Sequence, residues 1–342
     1  MKAVRIHQHG DIDQLRYEDA PDPELSPSDV LVRVKACALN HLDIWTRQGR
    51  AGVKVPMPHI LGSDVAGVVE AVGNAVTDTP IGMPVVVSPG ISCGKCEACL
   101  SGQDNLCPSY NILGTITDGG YAELVKVPAV NVLAKPLDLT FEEAAAVPLV
   151  FLTAWHMLVG RARVQPGETV LVQAAGSGVG SAAIQIAKLF NARVITTASS
   201  DEKLEKARQL GADELINYVQ KDFQTEVRRL TTGQGVDVVI EHVGAATFEN
   251  SVRVLARNGR LVTCGATAGP EANIDLRYVF SRHLNILGSY MGSKAELIEV
   301  LKFFPTGQLK PVVYQALPLS EAALAQELMQ DRRNFGKIAL SI

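Results

Sequence analysis

Up to about Pro136, short β-branched and apolar runs are separated by Gly and Pro. Runs such as "DVLVRVKA" and "YAELVKVP" alternate apolar and polar positions, as strands with one buried face do. The intervening Gly and Pro residues indicate turns. This part of the chain is therefore predicted to be a domain rich in strands.

From Glu168 onward, strand-like runs alternate with helix-like segments. "ETVLVQAA" precedes "GSAAIQIAKLF", and "ARVITTA" precedes "DEKLEKARQL". Six such strands predict an α/β fold with a doubly wound, parallel, six-stranded Rossmann sheet, because parallel neighbours need crossover connections that cover both sheet faces. After about Ser289 a helix, a strand, a second helix and the closing strand "GKIALSI" follow, and we expect this tail to rejoin the first domain.

Composition narrows the possible partners. The 342 residues, 47% hydrophobic and 20% charged, suffice for about two globular domains. The net charge of -4 is spread along the chain, so nucleic acid is not expected as a partner. The start "MKAVRIHQHG" lacks an apolar signal region, which predicts a cytoplasmic protein. The apolar stretch 144–160 contains Pro148 and Thr153, which favours a buried helix over a membrane span.

A glycine-rich turn lies between the first strand and the first helix of the alternation. Such a turn lets a pyrophosphate approach the helix N-terminus. The pattern departs from G-x-G-x-x-G, because Ser177 and Ala175 occupy the other two glycine positions counted back from Gly180. A packing turn would look similar, but the surrounding alternation favours dinucleotide binding. The predicted contacts are Gly176, Ser177, Gly178, Val179 and Gly180.

The end of the second strand of this alternation bears on the choice of dinucleotide. NAD sites usually offer a carboxylate there to the ribose 2′-hydroxyl. Here Ala198 is followed by Ser199 and Ser200, and we expect Asp201 to cap the next helix. Ser199 and Lys203 could bind a 2′-phosphate. The sequence therefore favours NADP(H) over NAD(H), although a solvated helix start would look the same.

Four of the six cysteines lie within residues 88–110, which we call the zinc lobe. The spacing C-x2-C-x2-C-x7-C suits a closed tetrahedral zinc site, and a cytoplasmic setting keeps thiols reduced. Four reduced thiols on a surface loop are the alternative. One structural zinc is predicted, held by Cys93, Cys96, Cys99 and Cys107.

Several motifs resemble those of one protein superfamily. "LGSDVAGVVEAVG", "AAGSGVGSAAIQIAK" and "FGKIAL" are similar to segments of medium-chain dehydrogenases/reductases, within which the chain looks like the quinone oxidoreductase (zeta-crystallin-like) branch. The resemblance implies a GroES-like catalytic domain made from both chain ends and a hydride-transfer site in the cleft beside the Rossmann domain. The expected bounds are 1–140 and 290–342 for the catalytic domain and 141–289 for the Rossmann domain.

The resemblance also locates the positions at which zinc alcohol dehydrogenases bind a catalytic zinc. The first two ligand positions hold Asn40 and Ser63 here, and the third would fall in 147–151, which offers no Cys or acid. We therefore expect no catalytic zinc. Improvised ligands would have to come from His41, His59 and Asp64.

By the same resemblance, Asn40 and Asp43 lie near the nicotinamide and substrate, and Thr153 lines the cleft. The Asn40 amide could donate to a carbonyl oxygen, or it could simply fix a loop. The remaining cofactor contacts implied by the resemblance are Lys203 and Tyr218 at the adenosine phosphate, and Gly244 and Lys337 nearby.

The leading hypothesis is an enzyme that transfers hydride from NAD(P)H to a quinone or an α,β-unsaturated carbonyl compound. Hydride attack on such acceptors needs no Lewis acid if hydrogen-bond donors stabilise the oxyanion. An alcohol dehydrogenase or carbonyl reductase is the enzymatic alternative. A nucleotide-binding or RNA-binding regulator without turnover is the alternative of another class. We expect a small-molecule substrate, no membrane partner and a homodimer or homotetramer.

Overall fold

The computed structural model describes residues 1–49 and 52–342. They form two compact units: Met1–Leu149 with Ser293–Ile342, called the first unit, and Val150–Gly292, called the second unit. The first boundary lies nine residues beyond the expected end of the catalytic domain. The reason is a short helix whose Ala144 and Ala145 are fully buried against Ala36 and Ala38 of the first unit.

The first unit is strand-rich, as predicted from its alternating pattern. Its main sheet has seven strands in the order β10-β6-β5-β3-β18-β17, with β9 also paired to β3, and a smaller sheet has the order β2-β1-β4. The strands are β1 Lys2–Ile6, β2 Arg16–Asp19, β3 Asp29–Ala38, β4 His59–Ile60, β5 Asp64–Val72, β6 Pro84–Val87, β7 Gly90–Ile91, β8 Asn111–Ile112, β9 Leu124–Pro128, β10 Val132–Ala134, β17 Val313–Pro318 and β18 Lys337–Ser341.

The chain tail returns to the first unit, as expected. Strand β18 pairs with β3 antiparallel, and Ala339 lies opposite Ala38. The last residues of β3 are buried on both faces: Ala36 and Ala38 pack against Ala144 and Ala145 of a helix, and Cys37 belongs to the main apolar core of the unit. The helices of this unit are α1 His41–Gln48, α2 Glu97–Leu100, α3 Phe141–Ala145, α10 Lys294–Leu301 and α11 Ala322–Gln330, with 3-10 turns at Ile12–Gln14, Asp104–Leu106, Ala129–Asn131 and Leu319–Glu321.

The second unit is a Rossmann fold, which confirms the predicted class. Its six strands are all parallel to their neighbours and follow the order β13-β12-β11-β14-β15-β16. The strands are β11 Thr169–Val172, β12 Arg193–Ala198, β13 Glu214–Asn217, β14 Val236–Glu241, β15 Leu255–Thr263 and β16 Asn285–Gly288. The helices between them are α5 Gly178–Leu189, α6 Asp201–Gln209, α7 Phe223–Leu230, α8 Phe248–Arg253 and α9 Leu276–Ser281.

The apolar stretch 144–160 is helical and largely buried. It forms the end of α3, then α4 Pro148–Trp155 and most of a π-helical segment, His156–Ala162. None of the helices in residues 1–49 and 52–342 is long and apolar enough to span a membrane.

Candidate functional site

The glycine-rich turn joins β11 to α5. Ser177 caps α5, and its Oγ accepts the Gly180 N–H at 2.8 Å. A Cβ on Gly180 would lie 2.3 Å from the Ala174 carbonyl oxygen, so this position has room only for glycine. The N–H groups at the start of α5 can therefore meet a pyrophosphate, because the helix dipole and its free donors both attract anions.

The strand order changes direction between β11 and β14, and dinucleotides bind at such a switch point. His242, just after β14, has its Nε2 3.0 Å from the Gln173 carbonyl and 3.3 Å from Ser177 Oγ. Burial lowers the pKa of His242, which favours its neutral form. The fully buried carboxylate of Glu241 accepts N–H bonds from Val243 and Gly244 at 2.7 and 3.1 Å. Sequence reasoning named Gly244 here and missed Glu241 and His242; an acidic residue at the end of an apolar strand was the available signal.

Residues named for the adenosine end gather where β12 ends. Ser199 is exposed just beyond Ala198, and the Tyr218 N–H donates to the Ala198 carbonyl at 3.1 Å. Tyr218 is 44% exposed. Lys203 lies in the first turn of α6, where its N–H donates to Ser200 Oγ at 3.3 Å.

The expectation that Asp201 caps α6 is wrong, because Ser200 is the N-cap. The Asp201 carboxylate instead accepts the Asn217 side-chain N–H at 2.7 Å, which ties α6 to the end of β13. An acidic residue is therefore present near the end of β12, and it is committed to a side chain of the neighbouring strand.

The four cysteines of the zinc lobe converge as predicted. All four Sγ atoms lie within 4.8 Å of one another, with Cys96 to Cys99 at 3.5 Å and Cys93 to Cys99 at 3.9 Å. Sulfurs bound at about 2.3 Å to a tetrahedral zinc lie about 3.8 Å apart, so this donor set fits the ion. N–H groups of Lys95 and Cys96 lower the pKa of Cys93 to about 6, which favours the thiolate.

Four thiolates would fill the shell of a bound zinc and leave no open position for substrate, which is the arrangement of structural rather than catalytic zinc sites. The zinc lobe is closed at its base by the pairing of β7 with β8. The Asn131 side chain donates to the carbonyls of Ser88 and Gly90 at 2.7 and 2.6 Å, and the Lys294 N–H donates to Asp104 at 2.9 Å. A bound zinc would hold together a loop that is already anchored at several points to the first unit.

A second cluster lies at the end of β3, and we call Asn40, Asp64 and Lys337 the lysine network. Lys337 Nζ donates to Asn40 Oδ1 at 2.5 Å and to Asp64 Oδ2 at 2.8 Å, and Asn40 Nδ2 donates to Asp64 Oδ2 at 3.0 Å. Asp64 Oδ1 accepts the Leu149 N–H at 2.8 Å. All three network residues are buried. The sheet register brings them together, because Ala38 lies opposite both Asp64 and Ala339.

Asp43 lies beside this network on α1. Its Oδ2 accepts the Asn40 backbone N–H at 2.8 Å and the Tyr121 hydroxyl at 3.1 Å. Burial raises the pKa of Asp43 to about 6. The Tyr121 ring packs against Gly62, which has a φ of +103° and where a Cβ would lie 2.5 Å from the ring. Gly62 therefore lets the chain reach Ser63 and Asp64 in this geometry.

The positions at which zinc dehydrogenases bind a catalytic zinc do not form a ligand set here. Asn40 and Asp64 are engaged with Lys337, and His59 has its Nε2 3.1 Å from the Gly114 carbonyl. His41 is exposed at the start of α1. Among the described residues, the four cysteines of the zinc lobe form the one group of three or more Cys, His, Asp or Glu residues whose ligand atoms lie close enough to share a metal ion. A metal ion at the lysine network would also be repelled by the Lys337 ammonium.

Several candidate residues have buried polar atoms that lack a partner. Three such atoms have no hydrogen-bond partner among the described residues: Asp43 Oδ1 and Ser63 Oγ in the first unit, and Thr153 Oγ1 in the second. Buried polar atoms are usually paired, so such exceptions indicate a place for a bound water or ligand. These three atoms belong to positions that the sequence had singled out. Asn40 differs, because its amide N–H groups face Asp64 and Ala38.

Comparison with known proteins adds two family matches. Residues 26–137 match the family described as alcohol dehydrogenase GroES-like domain, and residues 178–306 match the zinc-binding dehydrogenase family.

Similar proteins extend over the full chain. An NAD-dependent alcohol dehydrogenase of Sulfurisphaera tokodaii is 33% identical over 99% of both chains. A solved structure described as an NAD-dependent alcohol dehydrogenase is 53% identical over all of both chains, with a TM-score of 0.97. A crotonyl-CoA carboxylase/reductase of Cereibacter sphaeroides is 32% identical over 99% of this chain and 86% of that protein. With its strand-rich unit made from both chain ends and its Rossmann unit, this chain belongs to the medium-chain dehydrogenase/reductase superfamily and is an oxidoreductase.

Proposed function

We propose that this chain transfers hydride between a nicotinamide dinucleotide and a small carbonyl compound without a metal ion at the substrate. The lysine network carries this proposal: Asn40 and an Asp64–Lys337 ion pair occupy the region where a catalytic zinc would be bound. Hydride transfer from C4 of the nicotinamide needs a stabilised oxyanion, and hydrogen-bond donors supply that in a buried site.

The first candidate reaction is interconversion of an alcohol and a carbonyl compound. Relatives named as NAD-dependent alcohol dehydrogenases favour this alternative over the quinone reduction favoured by the sequence. The buried, positively charged donor Lys337 suits an alkoxide oxygen. We therefore place alcohol dehydrogenase or carbonyl reductase activity ahead of quinone reduction.

The second candidate is reduction of an α,β-unsaturated carbonyl compound. It is favoured by the similarity to a crotonyl-CoA carboxylase/reductase and by the absence of a second metal-ligand group among the described residues. Hydride then attacks the β-carbon, and the charge that develops on the carbonyl oxygen needs only hydrogen-bond donors.

A substrate panel run with metal analysis tests both candidates. Purified enzyme would be assayed with primary and secondary alcohols, aldehydes, ketones, quinones and enones, before and after dialysis against a chelator. The metal-free proposal predicts about one zinc per chain and turnover that persists when a second metal is excluded. Two zincs per chain with chelator-sensitive alcohol oxidation would refute it. Tight dinucleotide binding without turnover on any substrate would instead support the nucleotide-binding regulator.

The choice of dinucleotide is part of the same proposal. Three side chains near the end of β12 offer hydrogen-bond donors that suit the 2′-phosphate of NADP(H): the exposed Ser199 and the neighbouring Lys203 and Tyr218. The names of the relatives favour NAD(H). Measuring kcat/KM with both cofactors decides between them, and a preference for NAD(H) would refute the inference from Ala198.

We also propose roles for the remaining candidate residues. Asn40 positions Lys337, Asp43 holds the start of α1, and Thr153 contacts substrate or nicotinamide. The proposed cofactor contacts are Gly176, Ser177, Gly178, Val179, Gly180, Ser199, Lys203, Tyr218 and Gly244.

The protein is further proposed to form a homodimer or homotetramer through the second unit. Among the described strands, β16 is an edge of its sheet, and an edge strand can pair with a copy of itself. Nearby in sequence, Leu276 and Phe280 of α9 are each 70% exposed. Light scattering on Leu276→Glu with Phe280→Glu is expected to show a smaller oligomer than the unchanged protein.

A further inference from the structure

Lys337 is a buried amine in the closing strand of the first unit. Its side chain keeps 5% of its surface exposed, whereas the side chain of its partner Asp64 keeps none. The lysine, rather than the aspartate, is therefore the member of this ion pair whose side chain has surface that a ligand can reach. A buried ammonium is costly unless it is paired, and Asp64 supplies the counter-charge here.

One of the N–H donors of the Lys337 ammonium has no acceptor among the described residues. An ammonium has three N–H donors, and the described residues accept two of them, through Asn40 Oδ1 and Asp64 Oδ2. Both carboxylate oxygens of Asp64 are engaged by contrast, because Oδ1 accepts from Leu149 and Oδ2 accepts from Asn40 as well as from Lys337. The unused donor belongs to a charged group held by two contacts, which is the arrangement that binds an oxyanion well.

A second polar atom close to this pair in the chain also lacks a partner. Ser63 directly precedes Asp64, and its hydroxyl is fully buried with no hydrogen bond from any described residue. Buried polar atoms are usually paired, so the unused N–H of Lys337 and the unpaired Ser63 hydroxyl each leave room for a polar ligand.

We infer that Lys337 is a catalytic residue whose third N–H binds the carbonyl oxygen of the substrate; this inference rests on the proposed function. A bound reduced nicotinamide would supply the hydride for a new C–H bond at the carbonyl carbon, or at the β-carbon of an enone, and would itself be oxidised. The π electrons of the C=O bond, or of the conjugated system, would then move onto the oxygen that the Lys337 N–H holds, and the oxyanion or enolate would take a proton from water.

Two rival roles for Lys337 make different predictions. If it contacts the cofactor, as the sequence suggested, its removal weakens dinucleotide binding. If it serves only as an ion pair that stabilises the sheet, its removal lowers stability and leaves kcat of the folded enzyme unchanged. An oxyanion donor instead acts mainly on kcat, because the charge on oxygen develops in the transition state.

The test compares Lys337→Met, Lys337→Ala and the pair Lys337→Met with Asp64→Asn in the full-length protein. The pair removes both buried charges, so it guards against a single variant that fails to fold. Lys135→Met is the matched control, since Lys135 is a partly buried lysine of the same unit whose ammonium donates to the backbone carbonyls of Pro136, Leu137 and Leu139. For each variant, kcat, the Kd of the dinucleotide and the thermal midpoint would be measured.

We expect kcat to fall about 100-fold or more in each Lys337 variant, with the Kd of the dinucleotide within about threefold of the unchanged protein. Methylamine should restore part of the activity of Lys337→Ala, and Lys135→Met should keep its kcat. A folded variant that keeps kcat, or that loses only dinucleotide affinity, overturns the inference and leaves the proposed function standing. An unchanged protein that turns over no carbonyl compound overturns both.

Discussion

Asp64→Asn removes the negative charge that faces Lys337 inside the first unit. Asp64 is fully buried and accepts three hydrogen bonds, from Leu149 at 2.8 Å, Asn40 at 3.0 Å and Lys337 at 2.8 Å. An asparagine keeps one acceptor oxygen, and its NH2 group would face other donors. The variant therefore leaves a buried ammonium without its counter-charge. Breaking a buried pair in this way costs about 3 to 5 kcal/mol of unfolding free energy.

That cost predicts a large change in melting temperature. For a unit of about 200 residues, 1 kcal/mol shifts the midpoint by about 2 to 4 °C, so Asp64→Asn should lower it by about 6 to 20 °C. The double variant with Lys337→Met removes both charges and should recover most of the loss. Unfolding in urea, followed for the unchanged protein, both single variants and the double variant, gives the coupling energy.

The size of that coupling decides whether the ion pair is formed as described. A coupling of about 2 kcal/mol or more between the two positions is expected. Two results would show that the charges of Asp64 and Lys337 do not stabilise each other. One is a loss of less than about 1 kcal/mol of unfolding free energy in Asp64→Asn, and the other is a double variant that is no more stable than the single variants. The reasoning from burial would then be wrong.

Three further outcomes are expected. Cys99→Ser should lower the zinc content and the thermal midpoint, while the folded fraction keeps its kcat at low temperature, because the zinc lobe has no open ligand position; a loss of kcat at full zinc occupancy would contradict this. Burial raises the pKa of Asp43 to about 6, so the contribution of this group to the stability of the folded state is lost as pH rises from about 4 to 6. Asp43→Asn should remove about 3 kcal/mol of this pH dependence from the free energy of unfolding, measured by urea titration at each pH. An unchanged pH dependence would show that the pKa is not raised. Gly180→Ala would put a Cβ 2.3 Å from the Ala174 carbonyl oxygen and should weaken dinucleotide binding at least about tenfold by calorimetry, with the zinc content unchanged; unaltered binding would refute the role of this turn.

The Rossmann unit was predictable because its signals are local. Each strand and helix of the alternation is defined by a run of neighbouring residues, and parallel pairing follows from the helices between them. The capping error at Asp201 has the same local origin, since Ser200 and Asp201 both cap helices well and stand side by side.

The boundary between the two units was less predictable. The run of small apolar residues around Ala144 suits a helix in either unit, so composition does not decide which one it joins. Packing decides, because Ala144 and Ala145 fit against the alanines at the end of β3, where larger side chains would not allow a close approach.

The sequence by itself determined the zinc lobe, because its four cysteines lie within 15 consecutive residues and their spacing alone brings the sulfurs close. Through the resemblance it also marked Asn40 and Ser63 as standing at positions where zinc alcohol dehydrogenases have zinc ligands. Only the tertiary structure decided what stands there instead. Lys337 is 297 residues from Asn40 and 273 from Asp64, and they meet because β18 and β5 both pair with β3. Strand register is a property of the assembled sheet, and no local pattern encodes it.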